Sequence, residues 1–361
     1  MPTADELISP STVRDLAGCV QRTVRSDARA LLDCAASLDG LRFGDRVRAV
    51  RDAFLADVPG GFDELQATLR LALRDDRFTG WMIFPVTEAV AARGLGEFEP
   101  ALALLAELTP RLTAETAVRP FIMADSTRAL TVIEKWVRHP DEHVRRLASE
   151  GTRPRLPWAQ QIKALIADPS PALPILHALH RDSSEYVRRS VANHLNDISR
   201  DHPGVAVAVA REWMDDPDAN TVRVVRHGLR TLVKAGDRDA LGVLGFSANA
   251  QMSVTVPELE NPLVNLGAAL EFRCTVTNYG EAAADVAVDY VIHHVRANGS
   301  RTPKVFKLGV RQLEPGAQWC ITKRHAIKPI TTRRYYSGEH LLEVQVNGVR
   351  SAAVPFILTT P

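Results

Sequence analysis

Over roughly the first two-thirds of the chain, apolar residues recur at helical spacing; after that they alternate. Val13, Leu16, Val20, Val24, Ala28, Leu31 and Leu32 share one helical face, so residues 11–38 read as an amphipathic helix or a pair of them. The same period predicts helices over 43–56, 62–73, 81–92, 98–108 and 114–121, with Pro59-Gly60-Gly61 ending the first of these. From Met252 the pattern has period two. Strands are expected over 270–277, 285–292, 305–310, 319–324, 341–346 and 352–357, separated by turn signals such as Asn298-Gly299, Glu314-Pro315-Gly316 and Asn347-Gly348. About seven short strands in about a hundred residues predict an immunoglobulin-like β-sandwich.

The helical part repeats itself. His139-Pro140-Asp141-Glu142-His143-Val144-Arg145-Arg146, Arg181-Asp182-Ser183-Ser184-Glu185-Tyr186-Val187-Arg188-Arg189 and Asp216-Pro217-Asp218-Ala219-Asn220-Thr221-Val222-Arg223 each run from a polar turn into Val-Arg and a helix. Val144, Val187 and Val222 lie about one HEAT repeat apart, ~40 residues. Partner helices are expected over 158–166, 172–179 and 205–213. The chain is therefore read as mainly α with a β domain: a HEAT-like α-solenoid over 1–246, then an immunoglobulin-like sandwich over 253–361, the boundary falling near 246–253.

One stretch breaks the helical pattern. Glu150-Gly151-Thr152-Arg153-Pro154-Arg155-Leu156-Pro157-Trp158 packs a carboxylate, a glycine, two arginines, two prolines and a tryptophan into nine residues, and proline and glycine both oppose a plain helix. Arg153 and Arg155 are candidates to grip phosphates. Glu150 is suited to face a developing positive charge, and Trp158 to stack or wedge. Arg145, Arg146, Arg188 and Arg189 repeat at one position and read either as a phosphate track or as braces between neighbouring turns. Asn193 and Asp197 share a helix face four residues apart, as site residues or as an ordinary helix end. Glu115 precedes the proline-broken Val118-Arg119-Pro120-Phe121.

Composition narrows the choice. The 361 residues are 45% hydrophobic and 24% charged, with a formal net charge of +1, so any nucleic-acid binding must come from a local patch. The four cysteines, Cys19, Cys34, Cys274 and Cys320, have no zinc spacing and are expected as free thiols. No metal site is expected. No apolar run approaches the ~20 residues of a membrane span, and no basic-then-apolar leader opens the chain, so a cytoplasmic protein is expected.

Three passages carry a resemblance: 115–121, Val144-Arg145-Arg146 through Trp158, and Tyr186-Val187-Arg188-Arg189 through Ser199, with Thr152-Arg153-Pro154-Arg155-Leu156-Pro157-Trp158 the most specific. In these the chain resembles the AlkC/AlkD-type HEAT-like repeat DNA glycosylases of bacteria, in the longer form with a C-terminal immunoglobulin-like domain. The resemblance implies a monofunctional glycosylase of base excision repair. It would excise cationic N-alkylated bases such as 3-methyladenine and 3-methylcytosine from double-stranded DNA, without deep base flipping. It further implies that Glu150, Trp158, Glu115 and Asp197 line the lesion site. Glu150 is then the first choice to stabilise the sugar cation and position water, with no cofactor required, in a monomer associated with the nucleoid when bound.

In the sandwich, Lys304, Lys307, Arg333 and Arg334 are candidate DNA contacts, or else charges that keep a strand edge solvated. The odd separation of the two lysines places them on opposite faces of a regular strand. The alternative function is a non-catalytic HEAT scaffold or a DNA-damage-binding protein, since fold alone does not separate these readings.

Overall fold

The computed structural model describes residues 4–24, 26–246, 251–330 and 333–360. Part of the expected boundary, 247–250, lies outside them. Two compact units divide the chain, 1–202 and 203–361.

The first unit is helical. The apolar period over 11–38 resolves into a pair, Pro10–Val24 and Arg29–Ala36, which pack on each other. Helices Phe43–Asp57, Phe62–Ala72, Ile83–Gly94 and Phe98–Leu108 follow as the period predicts. They bury Phe54, Leu65, Val86, Leu102 and Leu105, each at most 1% exposed, so one stripe of every helix is withdrawn from water.

Two expected helices differ. The helix expected over 114–121 is displaced to Arg119–Ala124, with Pro120 in its first turn, where its missing N–H is harmless. Residues 115–118 form turns, so Glu115 is a turn residue and not a helical one. The helix expected over 158–166 shrinks to Lys163–Ala167, because Pro154 and Pro157 cannot continue a helical hydrogen-bond ladder. Helices Glu142–Gly151 and Glu185–Ile198 pack closely against each other and frame the irregular stretch between them.

The second unit begins with helices Pro203–Asp215, Thr221–Gly228, Arg230–Ala235 and Arg238–Val243. Among the described residues ten strands follow: β1 (Met252–Val254), β2 (Glu258–Leu259), β3 (Leu263–Asn265), β4 (Ala269–Asn278), β5 (Ala284–Val295), β6 (Arg301–Leu313), β7 (Gln318–Ala326), β8 (Gly338–Val346), β9 (Val349–Arg350) and β10 (Val354–Thr359). One sheet is built on β4, which pairs with β1, β2 and β7; the other runs β3-β10-β8-β5-β6, with β9 on β8. All pairs are antiparallel except β3 with β10. Alternate residues of the long strands, including Leu270, Phe272, Val276, Val288, Tyr290, Ile292, Leu342 and Val344, form one core. Each of the six expected strands lies within or overlaps a long strand. Cys274 pairs with Ile321 and Thr275 with Cys320 in the β4–β7 register, so the two thiols fall on opposite faces, one buried and one exposed, and both are free.

Candidate functional site

Helix Glu142–Gly151 opens on Asp141, whose carboxylate accepts a hydrogen bond from the His143 amide at 2.7 Å. It closes on Gly151, where an added Cβ would stand 2.5 Å from Val118 Cγ2. Only glycine lets the chain pass this close to the turn that carries Glu115. Beyond it, the Thr152 hydroxyl donates back to the Ala148 carbonyl at 2.7 Å. The carbonyls of the broken segment then find one donor. Buried Arg119 gives Nη1 to Gly151 (3.2 Å) and Arg153 (2.8 Å), Nη2 to Pro154 (3.4 Å) and Nε to Gln160 (2.7 Å). This guanidinium supplies donors to carbonyls of the proline-broken segment, alongside the backbone bonds from Arg153 N–H to Glu150 and from Ile162 N–H to Pro154. Burial, with Arg153 nearby, lowers the Arg119 pKa to about 10, so it stays a cation at neutral pH.

Held in this way, five side chains form an alternating chain of charges. Arg146 Nη1 donates to Glu115 Oε2 at 2.8 Å, and its Nη2 stands 3.5 Å from Glu150 Oε1. Arg153 Nη1 donates to that same Glu150 oxygen at 2.6 Å, and its Nε to Asp197 Oδ2 at 2.7 Å. Glu150, Arg153 and Asp197 are each less than a tenth exposed. Thr113 donates to Glu115 at 2.9 Å, and Arg146 lies 4.6 Å above the Tyr186 ring. With Arg119, three guanidiniums balance three carboxylates. A charge-balanced cluster knit by hydrogen bonds is the form in which buried charge is tolerated. Burial lifts the Asp197 carboxyl above its ordinary range, opposed by Arg153. Both ion pairs of Glu150 use Oε1.

The two helices are pinned beside this chain. The Ser190 hydroxyl donates to Ser149 Oγ at 3.0 Å, and His194 Nδ1 meets the Ser149 carbonyl at 3.0 Å. His194 is fully buried, its pKa pulled down to about 3 by burial and by Arg153, so the ring is neutral. Asp197 stands one turn further along the same helix, so the pin sets its distance from Glu150.

A family model described as "DNA alkylation repair enzyme" matches residues 46–226, half of the chain and all of this cluster. The chain belongs to the DNA alkylation repair enzyme family. A second model, the C-terminal Ig-like domain of the uncharacterised protein YhaZ, matches 253–360. The Bacillus subtilis protein YhaZ is 36% identical over 308 residues, covering 85% of each chain. The solved structure of the Pseudomonas fluorescens alkylpurine DNA glycosylase AlkC, bound to DNA containing an abasic site analog, is 34% identical. It superposes with a TM-score of 0.89 over 99% of this chain and 100% of that one.

Within this member of the family, the site residues expected from sequence separate into groups. Glu115, Glu150 and Asp197 come together. Trp158 does not join them. Its backbone is left-handed (φ 64°), its ring is 83% exposed, and it lies 5.9 Å from Phe43, on an aromatic ledge with Trp81 and Phe84. Arg153 is buried between two carboxylates, so it positions them and does not reach outward as a phosphate hand. Arg155 forms a two-pronged ion pair with Asp201 at 2.9 and 3.0 Å. Arg145 pairs in the same way with Asp182 and also donates to the His139 and Pro140 carbonyls; Arg188 donates to the Asp182 and Ser183 carbonyls. These two are braces between turns, the structural alternative named above. Arg189 is exposed beside Glu185, and Asn193 is half-buried on the helix that carries Asp197.

In the sandwich, Lys304 pairs with Ile292 and Lys307 with Asp289, on opposite faces as their spacing requires. Arg333 and Arg334 stack over Tyr335 and Tyr336, at 5.9 and 5.5 Å from the ring centres. Arg119, Thr113, Tyr186 and His194 belong to the site but were not candidates from sequence. Arg119 alone left a signal: a cation placed directly before a proline and the short apolar run Phe121-Ile122-Met123-Ala124.

Proposed function

We propose that this chain is a monofunctional DNA glycosylase of base excision repair. It hydrolyses the N-glycosidic bond of cationic N-alkylated bases, 3-methyladenine and 3-methylcytosine, in double-stranded DNA, and does so without drawing the base into a deep pocket. The observation that carries this reading is the Glu115–Arg146–Glu150–Arg153–Asp197 charge chain, in a fold that matches a DNA-bound alkylpurine DNA glycosylase over its whole length.

The chemistry follows from the substrate's charge. An alkylated base already carries a positive charge, so it departs with the bonding electron pair as a neutral molecule and needs no acid. The positive charge passes to C1′ and the ring oxygen of the deoxyribose. A carboxylate fixed before the charge develops stabilises it without reorganisation. Glu150 fills this role, because two guanidiniums hold its Oε1 and so set the direction of Oε2. A water then adds to C1′ and loses its proton to a carboxylate, leaving the abasic sugar. Asp197, with its pKa raised by burial, is the better acceptor of that proton, and Glu115 keeps Arg146 in place. Trp158, displayed on its aromatic ledge, presses on the DNA at the lesion. Nothing in this scheme takes a metal or an organic cofactor. The protein acts as a monomer in the cytoplasm, and exposed Lys304 and Arg334 supply backbone contacts from the sandwich.

Base release from methylated duplex DNA, comparing the parent chain with Glu150→Gln, tests this. Release of 3-methyladenine or 3-methylcytosine by the parent and its loss in the variant support the reading. Tight DNA binding with no release by the parent would favour a damage-binding scaffold.

A further inference from the structure

A second feature of the molecule is untouched by the glycosylase reading. In the 203–361 unit, a cleft of about 290 Å³ opens between the helical stretch 221–246 and strands β5 and β6. Arg226, Arg230 and Lys234, spaced by four, enter it from the helical side, and Lys307 faces them from β6. Among the described residues of the lining, Asp289 is the one carboxylate beside these four cationic side chains. Its walls are apolar: Phe246, Val233 and Leu244 from one side, Val305 and Val310 from the other.

The cleft is built into the fold. The β5–β6 register shifts between Val288 and Asp289, so Lys307 sits opposite Asp289 and Val310 opposite Ala287. The bulge turns both Lys307 and Val310 outward, while Phe306 and Leu308 face the sandwich core. The helical wall is seated on the sandwich through two left-handed glycines. A Cβ on Gly348 would lie 2.3 Å from the Gly236 carbonyl oxygen, and one on Gly236 would lie 2.9 Å from Gln345 Oε1. The walls therefore meet backbone to backbone, and the opening needs no rearrangement to form. Arg230 Nη1 is held by the His227 carbonyl at 2.6 Å, which orients its guanidinium.

The geometry points to a second ligand site here, one that takes a small phosphate-bearing anion with an aromatic or apolar part, of the size of a nucleoside monophosphate. Guanidinium and ammonium groups converging on one space select phosphate. The apolar walls would be left wet by a bare inorganic ion, and pockets of this kind bind the apolar body of a ligand while a few polar groups fix its orientation. The ligand has two possible sources, a free nucleotide or the phosphorylated end of a DNA strand.

Calorimetric titration of the full chain with 2′-deoxyadenosine 5′-monophosphate tests this without any base release. Saturable binding is expected, weakened about tenfold or more by Arg226→Glu and by Lys307→Glu, and strengthened by Asp289→Asn, which removes the opposing charge. Circular dichroism checks that each variant is folded. Inorganic phosphate should bind at least about tenfold more weakly, since it leaves the apolar walls uncovered. Displacement of the nucleotide by a 5′-phosphorylated oligonucleotide, but not by its unphosphorylated twin, assigns the site to strand ends; failure of both to displace it assigns the site to free nucleotide. No nucleotide binding would overturn the inference. So would binding unchanged in all three variants, phosphate binding as tightly as the nucleotide, or displacement by unphosphorylated duplex.

Discussion

Val-Arg-Arg occurs at Val144-Arg145-Arg146 and again at Val187-Arg188-Arg189, and the second arginine meets different fates in the two places. The first arginines behave alike: Arg145 and Arg188 both turn back to carbonyls of the preceding polar turn. Arg146 is drawn inward between Glu115 and Glu150, whereas Arg189 stays in solvent beside Glu185. The difference lies in what each helix faces. Helix Glu142–Gly151 runs past the turn that carries Glu115, where Gly151 leaves room for the Val118 side chain. One repeat later, the second arginine meets no such turn, and the helix supplies Asp197 from its far end instead. A brace common to the repeats and a member of the buried charge chain peculiar to one of them can share a dipeptide.

The sharpest test of this contrast is Glu150→Gln. It keeps the side chain's shape and removes the charge, so base release should fall about a hundredfold or more while DNA affinity changes little. Equal losses in turnover and affinity would reduce Glu150 to a structural member of the cluster. Next comes Arg146→Ala, which removes the only guanidinium in the chain of charges that meets Glu115 and one of the two that meet Glu150, leaving Glu115 with the Thr113 hydroxyl and Glu150 with Arg153. A loss of roughly 3–5 kcal/mol is expected, read as a lower denaturation midpoint in urea.

A smaller effect concerns the pin between the two helices. His194 has a folded pKa near 3 against about 6.5 when unfolded. The unfolded chain therefore binds the extra proton between these values. The stability tied to the neutral ring is full above about pH 6.5 and is lost as pH falls toward 3, at up to about 1.4 kcal/mol per pH unit. His194→Gln should flatten the acid limb of a stability–pH curve by about one proton; an unchanged slope would mean that the ring is not held neutral. The smallest effect is the control: Arg189→Ala should shift stability by less than about 0.5 kcal/mol. If it destabilised the chain as much as Arg146→Ala, the contrast between the repeats would fail.

Much of the architecture was legible because it rests on local periodicity. The switch from helical to alternating spacing near 246–253 separated helices from strands, and the six long strands followed from alternation and turn residues alone. The carboxylates of the site were also legible, through the break in the helical pattern after Glu150 and the resemblance it carries. Their partners were not. Nothing local in Arg153-Pro154-Arg155 says that the first arginine is buried between two acids 3 and 44 residues away, or that the second is taken up by Asp201. Both look like surface cations suited to phosphate. Nor does the sequence say where the Trp158 ring goes: next to a proline it reads as part of the broken turn, while its left-handed backbone carries the ring out to Phe43.

The sequence by itself determined where helices and strands form, where the helical pattern breaks, and which carboxylates lie near that break, because backbone propensity and side-chain period act over a few residues. Tertiary structure alone decided which guanidinium meets which carboxylate, which arginine braces a turn and which orders the site, and that four cations from three elements line one cleft. Ion pairs depend on distance and burial, and both are set by chain segments far apart in sequence.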